Sequence, residues 1–259
     1  GGNYIGGVIN VSNVTSNSNP LTPFYYSNDK SIRAEWEAAF TLAYGDVEKK
    51  LPNIDKVFEV INANKDKTID YTIWCFSSDT PEVTFDKLTI PTYANSITFT
   101  GSDIIFTGKT LKLPVDTKFD CNFIAENTAI TASKNVTFRD ATVKSITGTK
   151  NSDLTIEGPF NAQTVKTFAN VETRGGYLYV DTTVSVTNFA GDIIANTPET
   201  VISIGKISEA SGINLVSDES GKFGKVTIND VEEYESVGIV VINEDNEWVD
   251  LESGTIVLY

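Results

Sequence analysis

The sequence predicts an all-β protein, a right-handed parallel β-helix (β-solenoid) with a short N-terminal helical cap, and three observations lead there. From Tyr71 onward, apolar and polar residues alternate with period two in short bursts, as in "NSITFTGSDIIFTGKTLKLPVDTKFDCNF" from Asn95 to Phe123. The bursts recur. "LTI" (Leu88), "LKL" (Leu111), "VTF" (Val136), "LTI" (Leu154), "YLYV" (Tyr177), "VISI" (Val201) and "VTI" (Val226) begin 23, 25, 18, 23, 24 and 25 residues apart by subtraction. A second series, from "ITF" (Ile97) and "FDCNF" (Phe119) to "INLV" (Ile213) and "IVVI" (Ile239), advances in step. A strand-only repeat of about 20 to 25 residues is the mark of coils stacked on one another. Hairpin chemistry is scarce: there is no Asn-Gly or Asp-Gly pair, and only Gly175-Gly176 has the form of a two-residue hairpin turn. An antiparallel sandwich, the rival reading, would need such turns.

Residues 1–30 are rich in Gly, Asn, Ser and Pro and read as an extended lead-in, with a candidate strand over Tyr4 to Val11. Residues 31–70 form the expected cap. In "SIRAEWEAAFTLAYG", Ile32, Trp36, Phe40 and Ala43 share a helical face, with Ser31 placed to cap and Gly45 to stop. In "LPNIDKVFEVINANKDK", Ile54, Val57, Phe58 and Ile61 recur at helical spacing behind Asn53 as N-cap. That second helix, Ile54 to Asn64, stands just before the first strand, where a solenoid's raw end needs a plug.

Residues 71–259 are read as the β-helix, of roughly eight coils and about 40 Å long at the spacing of strands. Leu88, Leu111, Val136, Leu154 and Val226 each begin a burst and are expected near one edge of a common inward column. Thr89, Thr98, Lys112, Asn122, Thr155 and Lys166 take the outward place between apolar neighbours, a position that suits the branched or polar side chain. Gly101, Gly108, Asn95 and Asp116 are corner candidates, being tolerant of unusual φ.

Composition restricts function. The 259 residues carry a net charge of −15, which repels a phosphate backbone and an anionic membrane, so nucleic acid is not an expected partner. No run of about 18 apolar residues exists, and no membrane insertion is expected. The segment opens on Gly1-Gly2 without an initiator methionine and reads as a mature protein or an excised piece. The chain has no histidine, which removes the usual general base, the Ser-His and Cys-His nucleophiles and the commonest zinc ligand together. Its two cysteines, Cys75 and Cys121, sit in unrelated contexts and read as free, buried thiols, with a bridge or a reactive thiol as alternatives. The repeat count puts them about two coils apart, beyond disulfide reach.

A helix patterned like "FEVINANKDKTIDYTI", followed by "KLTIPTYANSITFTG" and threonine-rich coils, resembles the pectate-lyase-like, right-handed β-helix domains of secreted or cell-surface proteins of Gram-positive anaerobic bacteria. The resemblance covers about residues 31 to 259. It implies an extracellular or cell-surface module of a larger protein, either a non-catalytic scaffold, adhesin or binding domain, or a polysaccharide-active module. A polygalacturonase-like site would need paired aspartates and a histidine, and neither is present. A lyase-like site would need acidic residues around calcium and an arginine base. Arg139 beside Asp140 and Arg174 near Glu172 place an acid next to an arginine, the arrangement also of an ordinary surface ion pair. No catalytic residue, no metal site and no cofactor are expected, and the chain is read as not an enzyme.

Ligand binding has one candidate. In "GGYLYV", Tyr177 and Tyr179 share one strand face and Leu178 and Val180 the other. If the tyrosines face outward, two rings about 7 Å apart can stack on sugar rings; if inward, they fill the core. "PFYY" (Phe24, Tyr25, Tyr26) reads as a packing anchor, and "NDVEEYE" as a solvated loop. "INEDNEWVDLE" offers Asn243, Asp245, Asn246, Glu247 and Asp250 as oxygen donors without the glycine and spacing of a calcium loop, so it too reads as a solvated turn. Asn10, Asn13 and Asn135 begin glycosylation sequons that matter only in a eukaryotic secretory host. The expected partner of a monomeric module of this kind is a glycan or a host or cell-surface protein.

Overall fold

The structure is a computed structural model and describes residues 26–27, 54–76, 82–231, 237–243, 245, 248–249 and 256–258. It is a parallel β-solenoid of about seven turns. Each full turn lays one strand on each of three faces, and strands of successive turns pair in parallel; the one antiparallel pairing among the described residues joins Trp248–Val249 to Gly238–Ile242 near the C-terminal end. Three inward columns follow from the register. On the first face the column runs Tyr71, Ile97, Thr117, Val136, Leu154, Val171, Phe189, Ile207 and Val231. On the second it runs Val83, Ile104, Phe123, Ala141, Phe160, Leu178, Ile193, Ile213 and Ile239. On the third it runs Leu111, Ile130, Ile146, Val165, Val184, Ile202 and Val226.

These columns correct the expectation of a single shared edge. Val136 and Leu154 are cross-turn neighbours on the first face, whereas Leu111 and Val226 belong to the third, and Leu88 lies buried but outside any strand. First-face residue numbers show turns of 17 to 26 residues by subtraction, shorter in the middle than the burst spacing suggested. The burst spacing mixed faces. The outward residues divide likewise: Thr98 and Thr155 lie on the first face, Asn122 on the second, Lys112 and Lys166 on the third. Gly175-Gly176 makes no hairpin, because the strands on either side of it pair in parallel with other turns.

The largest fully buried side chains of the core are mostly phenylalanines. Phe99, Phe119 and Phe138 stack up the first face with ring centroids 5.1 Å apart at each step, close to the spacing of strands, so the backbone ladder sets the ring ladder. Phe123, from the second face, leans on Phe119 at 4.2 Å. Corners carry a second ladder. The Asn135 amide donates to Asp116 Oδ1 (3.0 Å), the Asp153 amide to Asn135 Oδ1 (3.0 Å), Asn170 Nδ2 to Asp153 Oδ1 (2.8 Å) and Asn188 Nδ2 to Asn170 Oδ1 (3.0 Å). Short Asn and Asp side chains thereby satisfy backbone and one another where the chain enters the first face.

The helix Ile54–Asn64 buries Ile54, Val57, Phe58 and Ile61, the four residues read as its apolar face. The expected helix over 31–45, the strand over 4–11 and the cap residue Asn53 lie outside the described residues, as do Phe24 and Tyr25. Tyr26–Ser27 pairs in parallel with Cys75–Phe76.

Cys75 and Cys121 are free and fully buried. Cys75 pairs with Gly101, and the register one residue earlier, Thr100 with Asp120, puts Cys121 one turn further on. The two thiols are thus two turns apart, as expected. Gly101 has φ of 103°, and a Cβ there would strike the Cys75 carbonyl, so the corner between the cysteines requires glycine. Burial pushes both thiols up, Cys121 to about 12. The expected result is that neither cysteine alkylates in the folded protein at neutral pH, and both alkylate once it is unfolded without reductant. A peptide linked through the two cysteines in a non-reducing digest would refute the register.

Candidate functional site

The outward rows of the three faces differ in chemistry. The first face presents Thr98, Lys118, Thr137, Thr155 and Glu172, and the third Lys112, Thr131, Thr147, Lys166, Ser185 and Ser203. The second presents Thr84, Ile105, Ile124, Thr142, Asn161, Tyr179, Ile194 and Asn214 in unbroken cross-turn register. Only this second row is apolar and aromatic for much of its length, and its members from Ile105 to Asn214 are half-buried where they stand.

Tyr177 and Tyr179 are in that face and point out. Leu178 and Val180 take the inward places and are fully buried, while Tyr177 is 45% exposed and Tyr179 half-buried. Their rings lie 6.1 Å apart at 67°, an edge-to-face pair on the outside of the solenoid. The turn before them is built to hold this position. A Cβ on Gly176 would collide with the Gly158 backbone, so glycine lets the two turns close up, and the Phe160 amide then donates to the Tyr177 carbonyl at 3.1 Å.

Beside Tyr179 runs a polar groove of about 390 Å³, lined by Glu126, Asn127, Thr142, Val143, Asn161, Ala162, Gln163, Asp181 and Asn196. Thr142, Asn161 and Tyr179 are neighbours on successive turns, so the groove continues the tyrosine row. Asp181 is fixed from one side: Asn196 Nδ2 donates to its Oδ1 at 2.8 Å, and the Thr197 and Thr200 hydroxyls donate to its carbonyl at 3.0 and 2.7 Å. The lining offers amides that donate and accept, carboxylates that accept, and no lysine or arginine. These groove residues escaped the sequence reading. Superposing "FNAQTV" on "LYVDTT" by the repeat would have found them, since Asn161 falls on Tyr179.

The two arginine candidates sit elsewhere and are occupied. Arg174 Nη2 lies 3.0 Å from Glu172 Oε2, and this hydrogen bond raises the guanidinium's pKa further, the opposite of what a base requires. Arg139 Nε lies 4.0 Å from Asp140 Oδ2, and its Nη1 donates to the Asp120 carbonyl at 3.4 Å. In the acidic "INEDNEWVDLE" stretch the Asp245 amide donates to Asn243 Oδ1 at 3.0 Å, a local turn; Asn246, Glu247 and Asp250 lie outside the described residues. Among the described residues no group of three acidic or thiol side chains is placed to hold a metal ion, and no helix is long and apolar enough to cross a membrane. No family model, no curated protein and no solved structure matches this chain.

Proposed function

We propose that the protein is a non-catalytic, extracellular or cell-surface binding module, a rigid solenoid that presents its second face to a glycan. The carrying observation is the outward pair Tyr177 and Tyr179, braced on buried Leu178 and Val180 and continued by an amide-rich groove. Aromatic faces stack on the C–H faces of sugar rings, and Asn161, Gln163 and Asn196 supply donor and acceptor pairs suited to hydroxyls. The carboxylates of Glu126 and Asp181 favour a neutral sugar over a uronic one. The reading as a domain of a Gram-positive anaerobe's secreted protein, pectate-lyase-like in descent, rests on the sequence resemblance and belongs to this proposal.

A glycan array with a reducing-sugar assay tests it. Binding of at least one neutral glycan is expected, without turnover, and Tyr177→Ala with Tyr179→Ala should weaken it about tenfold, the equivalent of two modest stacking contacts. Retained binding in the double variant would remove the tyrosines from the site. Calcium-dependent cleavage that is lost in Arg139→Ala or Arg174→Ala would replace the scaffold with a lyase, the alternative that the fold class also accommodates.

A further inference from the structure

A second opening lies at the start of the third face, about 680 Å³ in volume, between residues 86–92 and 108–114. Its origin is topological. Among the described residues the turn that holds Asp70–Phe76 has strands on the first and second faces only, and Thr110–Leu113 is the earliest strand of the third face. That strand has one partner among the described residues, the following turn, through Thr110↔Ala129 to Leu113↔Ala132. The carbonyls of Lys109 and Leu113 accept from Ala129 and Ser133, at 2.9 and 3.2 Å. In a parallel ladder the alternate residues then direct their N–H and C=O groups to the opposite edge. Those residues are Thr110 and Lys112, both exposed, and among the described residues no backbone hydrogen bond reaches them from 86–92. The two segments approach closely at Gly108, where a Cβ would stand 2.6 Å from the Asp86 carbonyl, and the groove opens beyond it.

The charge around this edge is inverted relative to the molecule. In a chain of net charge −15, the groove is lined by Lys87, Lys109 and Lys112, all exposed, against the single carboxylate of Asp86. None of the three lysines forms an ion pair among the described residues. An unpaired strand edge binds another strand through main-chain hydrogen bonds, and the flanking charges select which strand.

We propose that this edge is a docking site for an extended acidic peptide segment of a partner protein, which adds to Thr110–Leu113 as the missing first strand of the third face. Its alternate side chains would lie beside Thr110 and Lys112 and carry the carboxylates. Those between would face Leu111 and need to be small and apolar, because Leu88 and Ile90 already fill the space beneath. The site is independent of the tyrosine face.

The test is a fluorescently labelled, end-blocked hexapeptide of alternating Glu and Ala, titrated by anisotropy against the intact chain. Expected are saturable binding in the range of about 100 μM or tighter, slowed amide exchange at Thr110 and Lys112, and at least about tenfold weaker binding to Lys87→Glu/Lys109→Glu/Lys112→Glu. The same peptide with N-methylated backbone amides should bind at least about tenfold more weakly, because it cannot complete the ladder. Absence of binding, equal binding of a Lys-Ala peptide, or undiminished binding of the N-methylated peptide would overturn the proposal. Tighter binding of an oligogalacturonate would overturn it also, in favour of a plain anionic-sugar site.

Discussion

Phe119→Ala is expected to destabilise the protein by about 3–5 kcal/mol, the upper range for loss of a buried aromatic ring. Phe119 is fully buried and meets three rings from three directions: Phe99 below and Phe138 above at 5.1 Å, and Phe123 beside it at 4.2 Å. The vacancy cannot collapse, because its strand Asp116–Ala132 is hydrogen-bonded on both edges, to Ser96–Gly101 and to Val136–Thr147. Rings that stack at the pitch of the backbone cannot move closer without compressing that pitch. Urea melts of the variant and parent give the comparison, and Phe119→Leu, which keeps much of the volume, should lose less than half as much. A loss below about 1 kcal/mol for the alanine variant would mean that the ladder relaxes, contrary to a close-packed column.

The same strand shows what the sequence made legible and what it hid. Alternation through "DTKFDCNF" puts Phe119, Cys121 and Phe123 on one face, and all three are buried; the parallel stacking was legible in the repeat of about one turn. The strand nevertheless crosses two corners, at register shifts between Phe119 and Asn122 and between Ala125 and Ala129, without breaking its extended conformation. The first corner keeps the in-out rhythm while changing the face, whereas the second interrupts it with two outward residues, Glu126 and Asn127, so period alone cannot count three faces. For the same reason Leu88 looked like a strand residue: "LTI" has the pattern, but among the described residues no third-face strand precedes it for it to join. The tyrosine pair was visible as a choice between two faces, and its neighbours decided the choice. Leu178 and Val180 continue the second-face column, which leaves the rings outside. The groove residues remained hidden because Asn and Gln on an outward position are ordinary in any solenoid, and only cross-turn register gathers Asn161, Gln163 and Asn196 into one place.

Phe58→Asp is the other substitution with a large expected effect, several kcal/mol at neutral pH, because it puts a carboxylate where the helix closes the solenoid. Phe58 is buried and its ring meets Phe99 edge-on at 6.3 Å and 87°, so the helix Ile54–Asn64 reaches the inside of the second turn. The helix end is held as well: Asn62 Oδ1 accepts from the Thr92 amide at 3.2 Å, and Lys65 takes a left-handed φ of 52° as the chain turns into the first strand. Val57, Ile61 and Phe99, all fully buried, bring the introduced carboxylate no cation, so burial must raise its pKa above the unfolded value of about 3.9. The folded variant then binds the proton more tightly than the unfolded chain does. Its deficit relative to the parent should be largest above the raised pKa and shrink as pH falls through it towards 4. Thermal melts at pH 7.5 and pH 4.5 read this directly, with Phe58→Leu as a control that changes shape without charge. Amide exchange should show the loss first in Asp70–Phe76, the strand that follows the helix, and in Ser96–Gly101, which carries Phe99. A variant that melts with the parent at both pH values would mean that the solenoid's first turns stand without the helix, and that Ile54–Asn64 is an ornament on the end and not its closure.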